Sequence, residues 1–511
     1  EAAAQYASVG LSLLSETCWD EEYDLTFGLY NILGECEYLL GRPEKAEELY
    51  DILLTNTLCD IDKAQICATR LIQMIGQGQW QQGIEIGIAG LKEIDINCPS
   101  DLSNIQHVLL KEEQRFENNL IKTPLDQMSN LAEMTDPRYL VAINILPNLS
   151  VCGLVLGQES IMKFFALLGL NISLDAGKSD LLAVLLACYS SVLVKEESYN
   201  QAYHVAKLSM GIAEQYPNCR EFANTCNIVA GIALHFKSPY QCSIDVHQKG
   251  YERGIDTGEI ARAALNFCNI LFLKMSKGDN LTSINKHTIA ALSFSKNKSI
   301  FFPIPILTQK LIAALIEPSQ NSLSALDDDQ FASDQLTIIQ SSIHVTGLIH
   351  YRSQLAFWYD EQPRACEFAR QLQEKIALFS KMSFYIEHLF QYGLLLVSSI
   401  GSHEGDARSK DHLEFCFSKL QALAELYPPN FEHKYLLLQA EQGRYQNQSM
   451  EQLAPLYEAS IVSAGTNGFL QYEALANELY GSFLLSKKLP KLAAGCLQEA
   501  LYLYRRWGCT I

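Results

Sequence analysis

Seven times along the chain, small or apolar residues fall at i, i+4 and i+7 directly after a short turn-forming stretch. The sets are Ala46, Tyr50 and Leu53 after "GRPEK"; Gly83, Gly87 and Gly90 after "GQGQWQQ"; and Ala202, Ala206 and Ser209 after "EESYNQ". They continue with Ser243, His247 and Gly250 after "KSPYQC", and Ala365, Ala369 and Leu372 after "YDEQPR". The last two are Leu453, Tyr457 and Ser460 after "QNQSMEQ", and Ala493, Leu497 and Ala500 after "SKKLPK". Residues at this spacing share one face of an α-helix, and small ones let a partner helix approach closely.

The distances between first members are 37, 119, 41, 122, 88 and 40 residues. The two longest divide into three steps of about 40 and the 88 into two of about 44, a period that overlaps the paired-helix repeats. About a dozen helix–turn–helix units fit the chain. In "YLLGRPEKAEELYDILL", Gly41 suits the left-handed end of a first helix, Pro43 the start of a second, and Glu44 its positive end. Neither helix of a unit buries its apolar face alone, so the units must stack. The pattern predicts an all-α superhelical solenoid of tetratricopeptide-like helical pairs.

Two segments interrupt it. "FFPIPILTQ" holds Pro303 and Pro305, which are expected to stop any helix there. The polar run 317–335 reads as a loop and seam, dividing an N-terminal lobe, 1–316, from a C-terminal lobe, 336–511. A second loop is expected at 401–410.

A chain of 511 residues normally splits into several cores, but a solenoid is free of that limit. With 48% apolar residues there is material for a continuous core. The formal charge of −19 disfavours nucleic acid and anionic membranes as partners. Residues 1–60 carry thirteen acidic residues against Arg42 and Lys45, whereas Lys487, Lys488, Lys491, Arg505 and Arg506 face Glu499 alone at the other end. Solvated helix faces account for this; complementarity to neighbouring domains is the sharper alternative.

The fifteen cysteines stand singly with no CxxC pair, as small buried hydrophobes do in a reducing compartment. Five N-glycosylation sequons, at Asn148, Asn171, Asn280, Asn297 and Asn447, read as chance matches. The best membrane-span candidates, 140–157 and 181–194, fail on Asn144, Pro147 and Asn148 and on length respectively. The expectation is a cytoplasmic chain without membrane insertion.

Motifs for chemistry are absent. "DAGKSD" at 175–180 mimics the end of a P-loop, but Ile172 stands where the first glycine is needed, so the fragment reads as an inter-helix turn. His344 and His350 do not share a helix face, HExxH is missing, and His388 and His412 read as surface or satisfied core positions. Asp327, Asp328 and Asp329 read as a solubilising run. No catalytic, cofactor-binding or metal-ligating residue is assigned, no cofactor is expected, and the partner-binding residues stay unassigned.

The C-terminal stretch "GTNGFLQYEALANELYGSFLLSKKLPKLAAGCLQEALYLYRRWG" resembles the closing repeats of one family. Its members are large signalling proteins that join a Ser/Thr-kinase-like domain, a STAND-type ATPase, helical repeats, a GAF domain and a sensor histidine kinase. The matching residues include Gly468, Phe469, Glu473, Ala474, Leu475, Ala476, Gly481, Tyr504, Trp507 and Gly508. "CWDEEYDLTFGLYNILGECEYLLGRPEKAEELYDILL", "LAEMTDPRYLVAINIL" and "FFALLGLNISLDAGKSDLLAVLLACYSSVLV" are similar to its earlier repeats, while 277–440 is least distinctive. "DAGKSD" departs from the Gly-Asn-Ser type turn found there in the family.

The resemblance implies a segment of a larger protein, an expectation that the abrupt ends "EAAAQYASVG" and "RRWGCTI" share. None of the family's catalytic motifs lies in this stretch. It further implies a non-catalytic regulatory segment whose partners are proteins or peptides, including flanking domains of the same polypeptide, with a small-molecule effector also open. The rivals are a small-molecule sensor with a Trp- or Tyr-lined pocket inside the superhelix, an independent scaffold, and an enzyme with an unrecognised site.

Overall fold

The computed structural model describes residues 1–99, 102, 105–297, 303–318, 324–326, 342–380, 382–401 and 407–510. Among them the chain is a succession of helices, and the only extended pairing is an isolated parallel bridge between Glu133 and Lys178. Neighbouring helices pack in pairs, as Asp60–Gly76 does on Trp80–Glu93 and Leu470–Ser486 on Pro490–Trp507, and pairs pack on one another, as Pro428–Tyr445 and Met450–Asn467 do on Leu470–Ser486. This is an all-α solenoid.

The repeated triplets are its seams. Twenty of the twenty-one residues are buried, and Leu497 is half-buried. Close approach explains the small members and their partners: a Cβ on Gly34 would stand 2.8 Å from the Tyr50 ring, and one on Gly481 would stand 2.8 Å from Leu497 Cγ.

One turn recurs between helices. At Gly41, the backbone N–H of Arg42 reaches back to Glu37 O at 3.0 Å while Gly41 adopts φ 77°. The same arrangement sits at Gly78, Gly157, Gly278, Gly468 and Gly508, all with positive φ. Glu197, Asp360, Asn447 and Lys488 take the same left-handed conformation without being glycine. A Cβ disfavours it, so Lys488→Gly is expected to raise stability by about 0.5–1 kcal/mol in urea denaturation.

The contacts divide the chain into two compact units, Glu1–Tyr189 and Ser190–Ile511. The seam expected at 317–335 lies almost wholly outside the described residues. Helices from both sides of it share one core in the second unit, where Leu311 and Leu315 join Leu348, Tyr351, Leu355 and Trp507. "FFPIPILTQ" also differs from expectation, because the helix Pro303–Ile316 begins at its first proline. In the first turn a proline's missing N–H has no partner to lose, so Pro303 and Pro305 start a helix and do not stop one.

In the first unit, Tyr23–Leu39 pairs with Pro43–Asn56, Asp60–Gly76 with Trp80–Glu93, and Pro137–Val155 with Glu159–Ala176. Pro137–Val155 is long and apolar enough to cross a membrane, but 67% of that stretch is buried inside the protein.

The second unit has a longer-range regularity. Asn430 Nδ2 donates to His235 O and Ser238 O, both at 2.8 Å. Gln471 Nε2 donates to Ser276 O at 2.9 Å. Thr510 donates through its backbone N to Leu315 O at 3.0 Å and through Oγ1 to Ile316 O at 2.7 Å. These contacts span 192–195 residues and follow one another at the repeat interval of about 40. The later half of the unit therefore runs along the earlier half in constant register, as successive turns of a superhelix do, with about five repeats to a turn. The rungs have a simple cause. The last carbonyls of a helix have no partner within it, and here amide and hydroxyl side chains from the next turn supply one.

Candidate functional site

Ser383–Val397, within the helix Ser383–Gly401, is buried on every side, although it carries Glu387, His388 and Gln391. A charged side chain there has no route to solvent and must find its partner inside. Glu387 faces Lys434 of the helix Pro428–Tyr445, with Nζ 3.4 Å from Oε1, and both side chains are almost fully buried. The Tyr472 hydroxyl donates to Glu387 Oε2.

Aromatic faces complete the ammonium's surroundings. Lys434 Nζ lies 4.7 Å from the Phe469 ring centroid and 4.5 Å from that of Tyr472, within cation–π range. It is also 3.3 Å from His433 Nε2, which accepts, and the His433 ring packs 4.3 Å from Phe469. Burial pushes the Glu387 carboxyl up and the Lys434 ammonium down, each opposed by its partner's charge. Burial likewise pushes His433 well below its ordinary value, with the neighbouring Lys434 charge adding to it.

Beside this pair lies a cavity lined by Phe272, Met275, Ser276, Trp358, Glu387 and Tyr472. Its free volume is about 20 Å³, room for one water. Gln354 and Gln391 close one wall with reciprocal amide bonds, Gln391 Nε2 donating to Gln354 Oε1 at 3.1 Å. The arrangement holds charge inside the core and ties neighbouring repeats together. It offers no exposed nucleophile, and no group of three or more His, Cys, Asp or Glu among the described residues is placed to hold a metal ion.

The latch is sensitive to single amides. Asn430 is buried, and replacing it with Leu removes the amide that both carbonyls accept from. The expected cost is about 2 kcal/mol in the unfolding of the second unit, measured by urea denaturation.

A separate open cleft of about 460 Å³ lies in the first unit, between Pro43–Asn56 and Trp80–Glu93. Glu44, Glu47, Glu85 and Gln77 line it above an apolar floor of Met74 and Ile86, with Arg70 as its one cation among the described residues. Arg70 is engaged by Glu47 and lies 4.0 Å from Asp51.

The fragments weighed for chemistry fall elsewhere. "DAGKSD" joins the helices Glu159–Ala176 and Leu182–Lys195 as a turn with Gly177 at φ 110°. Lys178 Nζ donates to Ser129 O at 2.8 Å, so this lysine braces the short 3-10 helix Leu125–Asn130. His388 is a satisfied core residue, with Nε2 2.9 Å from Gln373 Oε1. His412 Nδ1 lies 2.9 Å from the Tyr392 hydroxyl. His350 lines the cavity, whereas the side chain of His344 and the run 327–329 lie outside the described residues. Glu387 and Lys434 went unremarked in the sequence. The signal available was a glutamate inside a stretch apolar on every helical face.

No protein-family model matches the chain. Over 313 residues, 54% of its length, the chain is 20% identical to "Hybrid signal transduction histidine kinase G" of Dictyostelium discoideum, and it spans 9% of that protein. Among solved structures, a "circular tandem repeat protein with novel repeat topology and enhanced subunit contact surfaces" aligns over 99% of this chain and 98% of that one. The identity is 11% and the TM-score 0.16, too low to bear on the fold. The chain is thus a helical-repeat solenoid with a distant similarity to part of a hybrid histidine kinase.

Proposed function

We propose that this chain is a non-catalytic regulatory segment of a signalling protein, coupling the binding of a partner or ligand to kinase and ATPase modules elsewhere in the same polypeptide. The observation that carries the reading is the 313-residue similarity to a hybrid signal transduction histidine kinase, of which this chain spans only 9%. The latched seam of the second unit supports it in physical terms. A bound partner would act on this seam by favouring or opposing the stacking of the turns. Protein or peptide partners fit the open acidic cleft of the first unit.

The small-molecule sensor is the second reading. The cavity has the Trp and Tyr lining such a sensor needs, but about 20 Å³ is far below the several hundred of a ligand pocket.

The test follows autophosphorylation of the histidine kinase in the polypeptide carrying this segment, with and without Asn430→Leu and Gln471→Met together. A severalfold change in rate, or in its response to stimulus, supports the regulatory reading. An unchanged rate and response reject it and leave a docking scaffold.

A further inference from the structure

The open cleft of the first unit has an apolar floor and polar walls. Met74, which is buried, and Ile86, which is half-buried, make the floor. Around them stand the exposed side chains of Glu44, Gln77, Gln79, Gln82 and Glu85. Glu47 engages Arg70, and Asp51 lies 4.0 Å from it, so the charge of this arginine is already answered. Glu44 and Glu85 are left as the net charge of the cleft. Among the described residues neither has an ion-pair partner, and none of the three glutamine side chains has a hydrogen bond.

We propose that this cleft binds an extended peptide segment of a protein partner, one that carries lysine or arginine beside an aliphatic residue. The proposal deepens the regulatory reading, on which it rests for the existence of a partner. Each part of such a segment has a counterpart in the cleft. Its cations meet Glu44 and Glu85, and an apolar side chain or the stem of a lysine covers Met74 and Ile86. Its backbone N–H and C=O groups meet the glutamines, whose amides both donate and accept. The volume of about 460 Å³ is within the range of ligand sites.

Other occupants use less of the wall. No group of three or more His, Cys, Asp or Glu among the described residues could hold a metal ion, so the carboxylates do not converge on a point cation. Nucleic acid and anionic lipid carry the wrong charge. A helix satisfies its backbone groups internally and gives the glutamines no backbone partner. A polyamine has the charge and the apolar stem, but it lacks the carbonyls that the amide N–H groups need.

Fluorescence polarisation on the purified full chain tests this with a labelled nonapeptide, blocked at both ends, in which Lys-Leu pairs alternate with Gly. The peptide is expected to bind, and its counterpart with glutamate for lysine is not. Glu44→Gln with Glu85→Gln should weaken binding about fivefold to tenfold, the worth of two exposed charge contacts. Glu16→Gln with Glu21→Gln removes the same charge at exposed positions outside the cleft and should leave the affinity unchanged. Gln77→Ala with Gln82→Ala should weaken the peptide about fivefold and leave spermine, followed by calorimetry, unaffected. No binding of the lysine peptide overturns the proposal. Equal losses in the two glutamate variants also overturn it, because they mark general attraction to an acidic protein. A peptide indifferent to the glutamines does so too, and leaves a polyamine site. None of these failures touches the autophosphorylation test, and an unchanged phosphorylation rate leaves a peptide that binds on a docking scaffold.

Discussion

Lys434→Met destabilises the second unit by about 3–5 kcal/mol, because it leaves the Glu387 carboxylate buried and without a counter-charge. The pair itself is not the source of that loss. Taking both charges out of water costs nearly as much as their attraction returns, so removing both is far milder than removing one. The double variant Lys434→Met with Glu387→Leu is therefore expected to recover most of the stability. The Tyr472 hydroxyl, which then loses its acceptor, limits the recovery. Urea denaturation of the three proteins, read by tryptophan fluorescence, gives the comparison. A double variant as unstable as the single one contradicts this account of the seam.

Acid weakens the fold through its histidines. Burial pushes His235, His350 and His388 down to about 3 and His247 to about 4, and holds His433 well below its ordinary value. In the unfolded chain each titrates near 6.5. Below that pH the unfolded state binds protons that the folded state does not take up. Stability is thus fully present above 6.5 and declines towards pH 4, each histidine contributing up to about 1.4 kcal/mol per pH unit. Glu387, Glu441 and Glu473 act in the opposite sense. Burial raises all three above 4.5, so the folded state binds the extra proton there and gains as the pH falls. Five groups against three leave a net loss. The melting temperature is expected to fall by roughly 5–10 °C between pH 7.5 and 5.5. A melting temperature that holds or rises over that range contradicts the assignment of these histidines as buried and neutral.

The local architecture was legible in the sequence. The triplets at Ala46, Ala202, Leu453 and elsewhere mark helix faces that are buried, because helical periodicity is a property of neighbouring residues. The turn at Gly41 was legible for the same reason. Pro303 and Pro305 were misread because a proline's effect depends on where it sits in the helix, and that position is set by packing. The rungs at Asn430, Gln471 and Thr510 were not legible at all. Their partners lie about 195 residues away, a distance fixed by how many repeats complete a turn and not by any local pattern. The Glu387–Lys434 pair was missed for a different reason, since it links neighbouring repeats through packing that no local pattern encodes. "YIEHLF" shows that the glutamate is buried, but nothing in it names the lysine.

The central claim is that the second unit lies in two stacked turns at this register. Glu197 and Lys419 form an ion pair between those turns at a partly exposed position, 222 residues apart. Treating the dilute purified chain with a zero-length carbodiimide cross-linker and sequencing the peptides of the monomer tests the claim directly. Stacked turns predict an amide bond between Glu197 and Lys419 within one chain, lost in urea and weakened by Asn430→Leu. Cross-links confined to neighbouring repeats, with none joining Glu197 to Lys419, would show that the turns stand apart.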